Sequence, residues 1–329
     1  MRTRRSQSSG NSVSPNPSTK LKASGHTPVL LHEALNGLEL LQGDVVVDAT
    51  LGGAGHARAI AERLGVQGVL IGFDLDADAI ERAHTALKGV LPRIHLVQAN
   101  FRTLADSLEK LGISYITKAL FDLGWSSYQL DSRLRQGYGG QAGRGFSFDS
   151  DAPLLMTYAK HPGPEDLTAS TIVNEWAEGS LADIIFGWGQ ERFARRIARA
   201  IVAQRAIKPI ATASELAEIV RSAYPGVARR GRTHPATKTF QALRIAVNDE
   251  LGALTEGVQG AWRKLSRGGR IAVISFHSLE DGLVKRMFVE LEKKGEGKRI
   301  TRKPIAPSEE EVAANPRARS AKLRVIEKL

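Results

Sequence analysis

Short β-branched runs recur at an even pitch in the first third of the chain, and this beat limits the possible folds more than any other feature. The runs begin at Asp44 (DVVVDAT), Gly68 (GVLIGFD), Arg93 (RIHLVQA) and Thr117 (TKALFDLG), each about 25 residues after the last. Between them lie segments of helical periodicity: HARAIAERLG, ADAIERAHTALKG and FRTLADSLEKLG. Strand and helix alternating in this way predict βαβ units and a mostly parallel sheet covered on both faces. The next run of similar quality, GRIAVISF, starts only at Gly269. The gap contains Pro/Gly-rich stretches and then the helical patterns EWAEGSLADIIFGWG, ERFARRIARAIVAQRA and SELAEIVRSAY. Within it, Thr212-Ala-Ser-Glu215 matches a capping box. An α/β sheet with an inserted small helical domain is therefore expected. The sheet domain would occupy residues 25–130 and 234–329, with the insert at 131–233. A long helix from about Pro235 to Leu265 should return the chain to the sheet, and LRVIE near the C-terminus should form an edge strand.

Residues 1–24 hold five basic residues, no acidic ones and almost nothing apolar, the composition of a disordered basic tail. No apolar run nears the ~18 residues that a membrane-spanning helix needs, so no membrane partner is expected. The chain has no cysteine, which excludes a disulfide framework, a thiolate metal site, an iron–sulfur cluster and a cysteine nucleophile. The 46 Lys+Arg against 35 Asp+Glu leave a net charge of +11, which favours a polyanionic partner.

The first strand runs into Asp48-Ala-Thr-Leu-Gly-Gly-Ala-Gly-His56 and then a helix. Glycines 52, 53 and 55 permit a tight turn and close approach of a ligand to backbone N–H groups. The second strand ends at Asp74, where a carboxylate is placed to accept hydrogen bonds from ribose hydroxyls. This is the pattern of a nucleoside-type cofactor site. The dinucleotide fingerprint G-x-G-x-x-G fails: started at Gly53 it meets Arg58 in place of the third glycine, and started at Gly52 it meets Ala54 second. A dehydrogenase is disfavoured accordingly. S-adenosylmethionine has no pyrophosphate and carries a sulfonium cation, which suits carboxylates such as Asp48 and Asp122.

The fourth strand ends in Asp122-Leu-Gly-Trp125-Ser126-Ser-Tyr-Gln129, at the sheet edge where ligands sit in open α/β folds. An acid followed three residues later by an aromatic resembles the catalytic loop of enzymes that methylate nucleobase amines. Such an amine is a weak nucleophile because its lone pair is delocalised into the ring. A carboxylate accepting one of its protons restores electron density, and an aromatic ring can hold an extruded base. Without cysteine, the covalent route to pyrimidine C5 and radical methyl transfer are both closed. Direct transfer to nitrogen or oxygen remains.

Five blocks together resemble the bacterial small-subunit ribosomal RNA cytosine-N4 methyltransferase family (RsmH, also called MraW). They are His26-Thr-Pro-Val-Leu-Leu-His-Glu33, Asp48–His56, Asp122–Asp131, His234-Pro-Ala-Thr-Lys-Thr-Phe-Gln-Ala-Leu-Arg244 and Ile274-Ser-Phe-His-Ser-Leu-Glu-Asp281. Asn315-Pro-Arg-Ala-Arg-Ser-Ala-Lys-Leu-Arg324 is similar to the family's ending. The resemblance implies a class I S-adenosylmethionine-dependent methyltransferase fold, Rossmann-like, acting on the 4-amino group of a cytidine in the decoding region of 16S rRNA. Its partner would be the small ribosomal subunit or a late precursor, in the bacterial cytoplasm. It carries cofactor contacts to Ala54, Gly55, His56, Asp74, Phe101, Asp122 and Gln129, and places catalysis at Asp122, Trp125 and Ser126. A DNA amino-methyltransferase and a non-catalytic assembly factor of the same fold are the alternatives. The chain departs from the family where Ala54 replaces a second adjacent glycine and where Trp125 replaces a small aliphatic residue. It also departs in the insert SRLRQGYGGQAG at 132–143, and at Leu155-Met156 in place of acidic and arginine residues.

Arg192, Arg195, Arg196 and Arg199 recur at helical spacing and suit RNA phosphates. Arg205 and Lys208 lie nearby, with Glu191 the adjacent acid. Arg229, Arg230, Arg232, Lys238 and Arg244 form a second basic run. A serine triad at His277, Ser278, Glu280 and Asp281 has no support in the spacing. His26, His32 and Glu33 read as structural, so no metal is expected. Asn248, Asp249 and Glu250 fall on the expected long helix, where they can reach the cleft.

Overall fold

The computed structural model describes residues 28–124, 143–148, 151–159, 162–163, 165–230 and 234–329. The basic tail, the glycine-rich insert, Trp125, Ser126, Gln129 and Arg232 lie outside the described residues, as does the side chain of Arg230.

A seven-stranded sheet has the order β3-β2-β1-β4-β5-β7-β6. Its strands are β1 (Val45–Asp48), β2 (Val69–Asp74), β3 (Arg93–Gln98), β4 (Ile116–Asp122), β5 (Leu265–Ser275), β6 (Gly297–Arg299) and β7 (Lys322–Lys328). The first five are mutually parallel, with Val47 opposite Ile71 on one side and Ala119 on the other. β7 runs antiparallel to both β5 and β6. This is the expected mostly parallel, Rossmann-like arrangement. The central strands are nearly continuous apolar runs because helices cover both faces. β3 is only half-buried and β6 is a three-residue strand ending in Lys-Arg, which suits their places at the two edges. LRVIE therefore forms a strand, but an interior one: β6 caps the position where an edge was expected.

One face is covered by α1 (Leu31–Leu38), α2 (Gly55–Leu64) and α3 (Ala77–Ala86). The opposite face packs on α4 (Leu104–Lys110), which follows the 3-10 turn Phe101–Thr103, and on two later helices. A separate cluster of buried residues runs from Phe146 to Leu243. It is built from α5 (Ala169–Glu175), α6 (Glu178–Gly187), α7 (Ala194–Arg205), α8 (Ala213–Ala223) and α9 (Thr237–Asn248). The Thr212–Glu215 capping box is formed at the start of α8. Two expected continuous helices are broken. EWAEGSLADIIFGWG is interrupted at Trp176 and Ala177, both extended. The long returning helix divides into α9 and α10 (Glu250–Lys264) at Asp249, which adopts φ 44°, ψ 48°. Asp tolerates this left-handed region better than most residues. Arg102 holds it there, donating from Nη2 to Asp249 Oδ2 at 2.6 Å.

The sheet and helical clusters meet where α9 gives way to α10. Beyond β5, α11 (Ser278–Lys293) returns along the sheet, and α12 (Glu309–Ala314) precedes a 3-10 turn at Pro316–Ser320. Glu311 of α12 accepts a hydrogen bond from the Leu30 N–H at 2.7 Å and so ties the C-terminal segment to the start of α1. Among the described residues, no helix is long and apolar enough to cross a membrane.

Candidate active site

The carboxyl ends of β1, β2, β4 and β5 open into a cavity of about 430 Å³, as the strand order requires of a parallel sheet. One end is lined by Gly52, Gly53, Gly55, Asp74, Asn100 and Phe101, the other by Phe148, Tyr158, Phe240, Arg244, Phe276 and His277. Asp122 and His56 line it as well.

At the first end the polypeptide turns tightly through the glycine loop. A Cβ on Gly55 would stand 2.3 Å from Pro28 Cγ, so only glycine lets α2 start against the N-terminal segment. Asp74 Oδ2 accepts from the Gly52 N–H and Oδ1 from the Asp76 N–H, both at 2.9 Å. Burial raises the Asp74 pKa, and the two N–H groups only partly offset this. The loop and the second strand are thus fastened together through the carboxylate expected to meet a ribose. Phe101 sets its ring edge-on to Phe121, with centroids 5.6 Å apart, and supplies a flat apolar wall. A Cβ on Gly257 of α10 would stand 2.5 Å from Phe101 Cδ2, so that ring is fixed from behind by the close approach of a helix.

Ala54 is placed differently from the other loop residues. It caps α2 at φ 59°, is 1% exposed, and turns its methyl into the core rather than toward the cavity. Its replacement of glycine therefore takes no room from a ligand; the consequence is a left-handed backbone at a non-glycine residue.

Beneath the loop lies a buried group of ionisable side chains. His56 Nε2 is 3.0 Å from the Val29 carbonyl oxygen and Nδ1 is 3.3 Å from Asp122 Oδ2. Burial would depress the His56 pKa, but the Asp122 hydrogen bond and the charges of Asp122 and Asp48 raise it overall. Asp48 is fully buried, and this pushes its carboxyl up to about 7 against the opposing pull of His56 and the Thr50 N–H. Asp48 Oδ2 and Asp122 Oδ1 are buried acceptors with no hydrogen-bond partner among the described residues. Unsatisfied acceptors of this kind cost roughly 1–3 kcal/mol each, so two side by side mark a site built for something else to complete. Thr50 Oγ1, which accepts from the Asp122 N–H at 2.8 Å, fixes the strand end that carries one of them.

The far end holds a network that the sequence did not reveal. Arg244 grips Glu250 with two hydrogen bonds, 2.7 and 2.9 Å, and Tyr158 donates to the same carboxylate at 2.7 Å. Asn248 donates to the Met156 carbonyl and accepts from the Tyr158 N–H. Arg244 is consequently a buried structural cation and not part of a basic surface, as the second basic run implied. Burial alone would lower its pKa; the Glu250 carboxylate raises it overall. His277 and Glu280 form the capping box of α11. Burial opposes ionisation of Glu280, but the His277 ring and the Arg244 charge hold its pKa below the usual carboxylate range. Ser278 turns away and donates to Gln190, which leaves no triad. Glu250, His277 and Glu280 bring three potential metal-ligand atoms within 4.8 Å, yet both Glu250 oxygens already face Arg244. Their pattern in the sequence, a His followed three residues later by Glu, is a capping signal. Arg317 and Ser320, from the basic C-terminal stretch, also line the cavity, which sequence reading did not anticipate.

Arg195, Arg196 and Arg199 are exposed on the side of α7 opposite the buried Ala194, Ile197, Ala198 and Ile201, and Arg192 is exposed just before the helix begins. Glu191 does not neutralise them: it is 2% exposed and takes the Tyr224 hydroxyl. The second basic run is mostly engaged internally. Arg229 donates to the Tyr224 and Ser222 carbonyls, and Lys238 donates to the Gln190 carbonyl. Arg205 and Lys208 are likewise committed, to the Val173 carbonyl and to Glu215.

A ribosomal RNA small subunit methyltransferase H from Brevibacillus brevis is 46% identical over 319 residues, covering 92% of this chain and 98% of that protein. Proteins of the same name from Clostridioides difficile and a Paenibacillus species are 43% and 45% identical, each over 92% of this chain and 99% of their own length. Among solved structures, an rRNA methylase from Streptococcus thermophilus matches with a TM-score of 0.43 at 13% identity, over 93% of this chain and 99% of that one. The MraW methylase family matches residues 23–329, nearly all of the sequence; with its class I methyltransferase sheet and glycine loop, the chain belongs to that family.

Proposed function

We propose that this chain transfers a methyl group from S-adenosylmethionine to the 4-amino group of a cytidine in the decoding region of 16S rRNA, within the small ribosomal subunit or a late precursor. The bacterial cytoplasm is where such a substrate resides. The observation that carries this reading is one cavity lined both by Gly52, Gly53, Asp74 and Phe101 and by the aromatic rings of Phe148, Phe240 and Phe276, with Asp122 among the residues that line it.

The residues present fit the cofactor. Asp74 keeps lone pairs beyond the two it gives to backbone N–H groups, and Phe101 offers an apolar face. The uncompleted carboxylate oxygens of Asp48 and Asp122 suit a neighbouring cation. When bound, S-adenosylmethionine supplies an electrophilic methyl carbon on a sulfonium. Asp122 does the rest of the chemistry assigned to this chain: its carboxylate accepts an N–H of the cytosine amine, orients the nitrogen, raises its nucleophilicity and takes the proton released as the N–C bond forms and the sulfonium S–C bond breaks, with S-adenosylhomocysteine as the leaving group. The aromatic side chains hold the base out of the RNA strand. Trp125 and Ser126 remain part of this proposal as neighbours of Asp122 in sequence, and Gln129 as a cofactor contact. Residues 131–233 serve as the substrate-recognition insert between the two parts of the methyltransferase domain, with Arg192, Arg195, Arg196 and Arg199 on RNA phosphates. Arg230, Arg232 and Lys238 belong to the same proposed surface.

Methylation of 30S particles, naked 16S rRNA and duplex DNA with labelled cofactor, followed by mass spectrometry of the nucleosides, tests the reading. N4-methylcytidine from the ribosomal substrate supports it. Methylation of duplex DNA alone, or cofactor binding without methylation of any of them, overturns it.

A further inference from the structure

The hydrogen-bond directions around His56 hold an inference that deepens the role of Asp122 proposed above and rests on it. A neutral imidazole has one N–H and one bare nitrogen. In this chain both ring nitrogens face acceptors: a backbone carbonyl at Val29, which can only accept, and a carboxylate at Asp122. A neutral ring would set its bare nitrogen against a bare oxygen in a site where His56 is 6% exposed and water cannot intervene. We infer that His56 is a positioning residue, doubly protonated, that holds Oδ2 of Asp122 and so fixes the orientation of its carboxylate at the end of β4.

The charges around the ring are consistent with this. The groups that face it or lie close enough to act on it are Asp48 from β1, Asp122 from β4 and the Val29 carbonyl from the segment before α1. Asp74 of β2 acts on Asp48. The ionisable side chains that act directly on His56, Asp48 and Asp122, are both acids, which favours a positive ring. The two oxygens of Asp122 have divided roles. Oδ2 is tied to the imidazolium, while Oδ1 is buried and without a partner among the described residues. A carboxylate free to rotate has no fixed orientation toward the amine; one pinned at Oδ2 keeps a single orientation, and misplacement of a reacting group by about 1 Å costs about a hundredfold in rate. The same ring reaches Val29, so the N-terminal segment, itself tied to α12 through Leu30 and Glu311, is joined to the reacting end of β4.

The test uses the full chain with histidine labelled with ¹⁵N at the ring nitrogens, His56 being assigned by comparison with H56N. Imidazolium shifts for both ring nitrogens at pH 7 to 8, lost in D122N, are expected. H56N, which can donate to only one of the two acceptors and carries no charge, is assayed at saturating S-adenosylmethionine, so that any change in cofactor affinity is kept apart from the change in turnover. Its kcat on 30S particles should fall about 10- to 100-fold. The wild-type kcat should decline at alkaline pH as the ring loses its proton, and this limb should be absent in H56N. Neutral ring shifts at pH 7, or an H56N kcat within twofold of wild type, would overturn the inference while leaving Asp122 in place. A D122N enzyme of normal turnover would instead remove Asp122 from the reaction, and with it both the amine reading and the role of His56.

Discussion

Replacing Asp74 by alanine should weaken the cofactor complex far more than the fold, and the structure lets the two effects be separated. The side chain does two jobs. In the free protein it takes the Gly52 and Asp76 N–H groups, both at 2.9 Å. In the proposed complex its remaining lone pairs would be offered to two ribose hydroxyls. A hydrogen bond to a charged group contributes about 1.5–3 kcal/mol net, so losing two at the ribose removes about 3 kcal/mol or more. At 1.4 kcal/mol per decade, that corresponds to an increase in Kd of about a hundredfold. The cost to folding is smaller. Asp74 is only partly buried, so water can reach the loop once the carboxylate is gone, and a loss of about 1–2 kcal/mol is expected. Calorimetric titration with S-adenosylmethionine and with S-adenosylhomocysteine measures the first effect, and both ligands should lose affinity alike because they share the ribose. Urea denaturation measures the second. Burial raises the Asp74 pKa, so as pH falls the ionised form is lost earlier than for an exposed aspartate. Wild-type affinity should therefore decline in mild acid, and D74N should show no such decline. A D74A protein that melts normally and binds the cofactor within threefold of wild type would refute the reasoning, because the neighbouring acid, Asp76, is committed to capping α3 and to Arg144.

Asp122→Ala should chiefly lower kcat on 30S particles, by more than tenfold at saturating cofactor, with a smaller change in cofactor Kd read by calorimetry. Changing Arg192, Arg195, Arg196 and Arg199 together to alanine should flatten the salt dependence of kcat/KM on 30S particles by up to ~3 log units per decade of salt, at about 0.7–0.9 per phosphate contact. Cofactor affinity should be unaffected by that change. Asp48→Asn should stabilise the protein in a pH-dependent way. The folded carboxyl titrates at about 7 and the unfolded one at 3.8, so between these values the folded state binds more protons and wild-type stability falls as pH rises. Urea denaturation should show the advantage of D48N absent near pH 4, growing through pH 7, and reaching at most about 4 kcal/mol above it. Ala54→Gly should change unfolding free energy by less than about 1 kcal/mol. Relief of the left-handed backbone at ~1–2 kcal/mol is offset by the lost buried methyl at ~0.8 and the extra freedom of unfolded glycine at ~0.4–1. A loss above 2 kcal/mol in denaturant would show that the methyl matters to packing more than the backbone strain does.

What could be read from the sequence, and what could not, follows from the range of the interactions involved. The five parallel strands were legible because burial on both faces demands continuous apolar runs, and VVVD, VLIGFD and ITKALFD are such runs whatever surrounds them. The cofactor end of the cavity was legible for a similar reason. Glycine loop, helix start and strand-end acid are fixed by one βαβ unit, so Gly55 and Asp74 come together through local geometry alone. The break at Asp249 is not of this kind. Nothing apolar changes there, and the partner that the divided form gives the Asp249 carboxylate, Arg102, lies a hundred and more positions earlier. The Asn248-Asp249 pair was the available signal, since both residues tolerate turns that others resist.

The aromatic end of the cavity was hidden for the same reason, with greater consequence. Arg244 reads in sequence as one more residue of a basic run, and only the fold shows it buried against Glu250, which lies beyond the break, and tied through Glu250 to Tyr158 in the insert. That network fixes the junction between α9 and α10, and the junction is where the helical cluster meets the sheet. Removing one partner of such a buried pair typically costs about 3–5 kcal/mol because the other charge is left unpaired. Glu250→Gln should therefore loosen the helical cluster from the sheet before either unfolds. Protease or hydrogen-exchange mapping should find new opening at Tyr158 and Asn248, with the Asp74 end still protected. If protection at the two ends is lost together, the junction is not an independent seam, and the cavity is held as one piece.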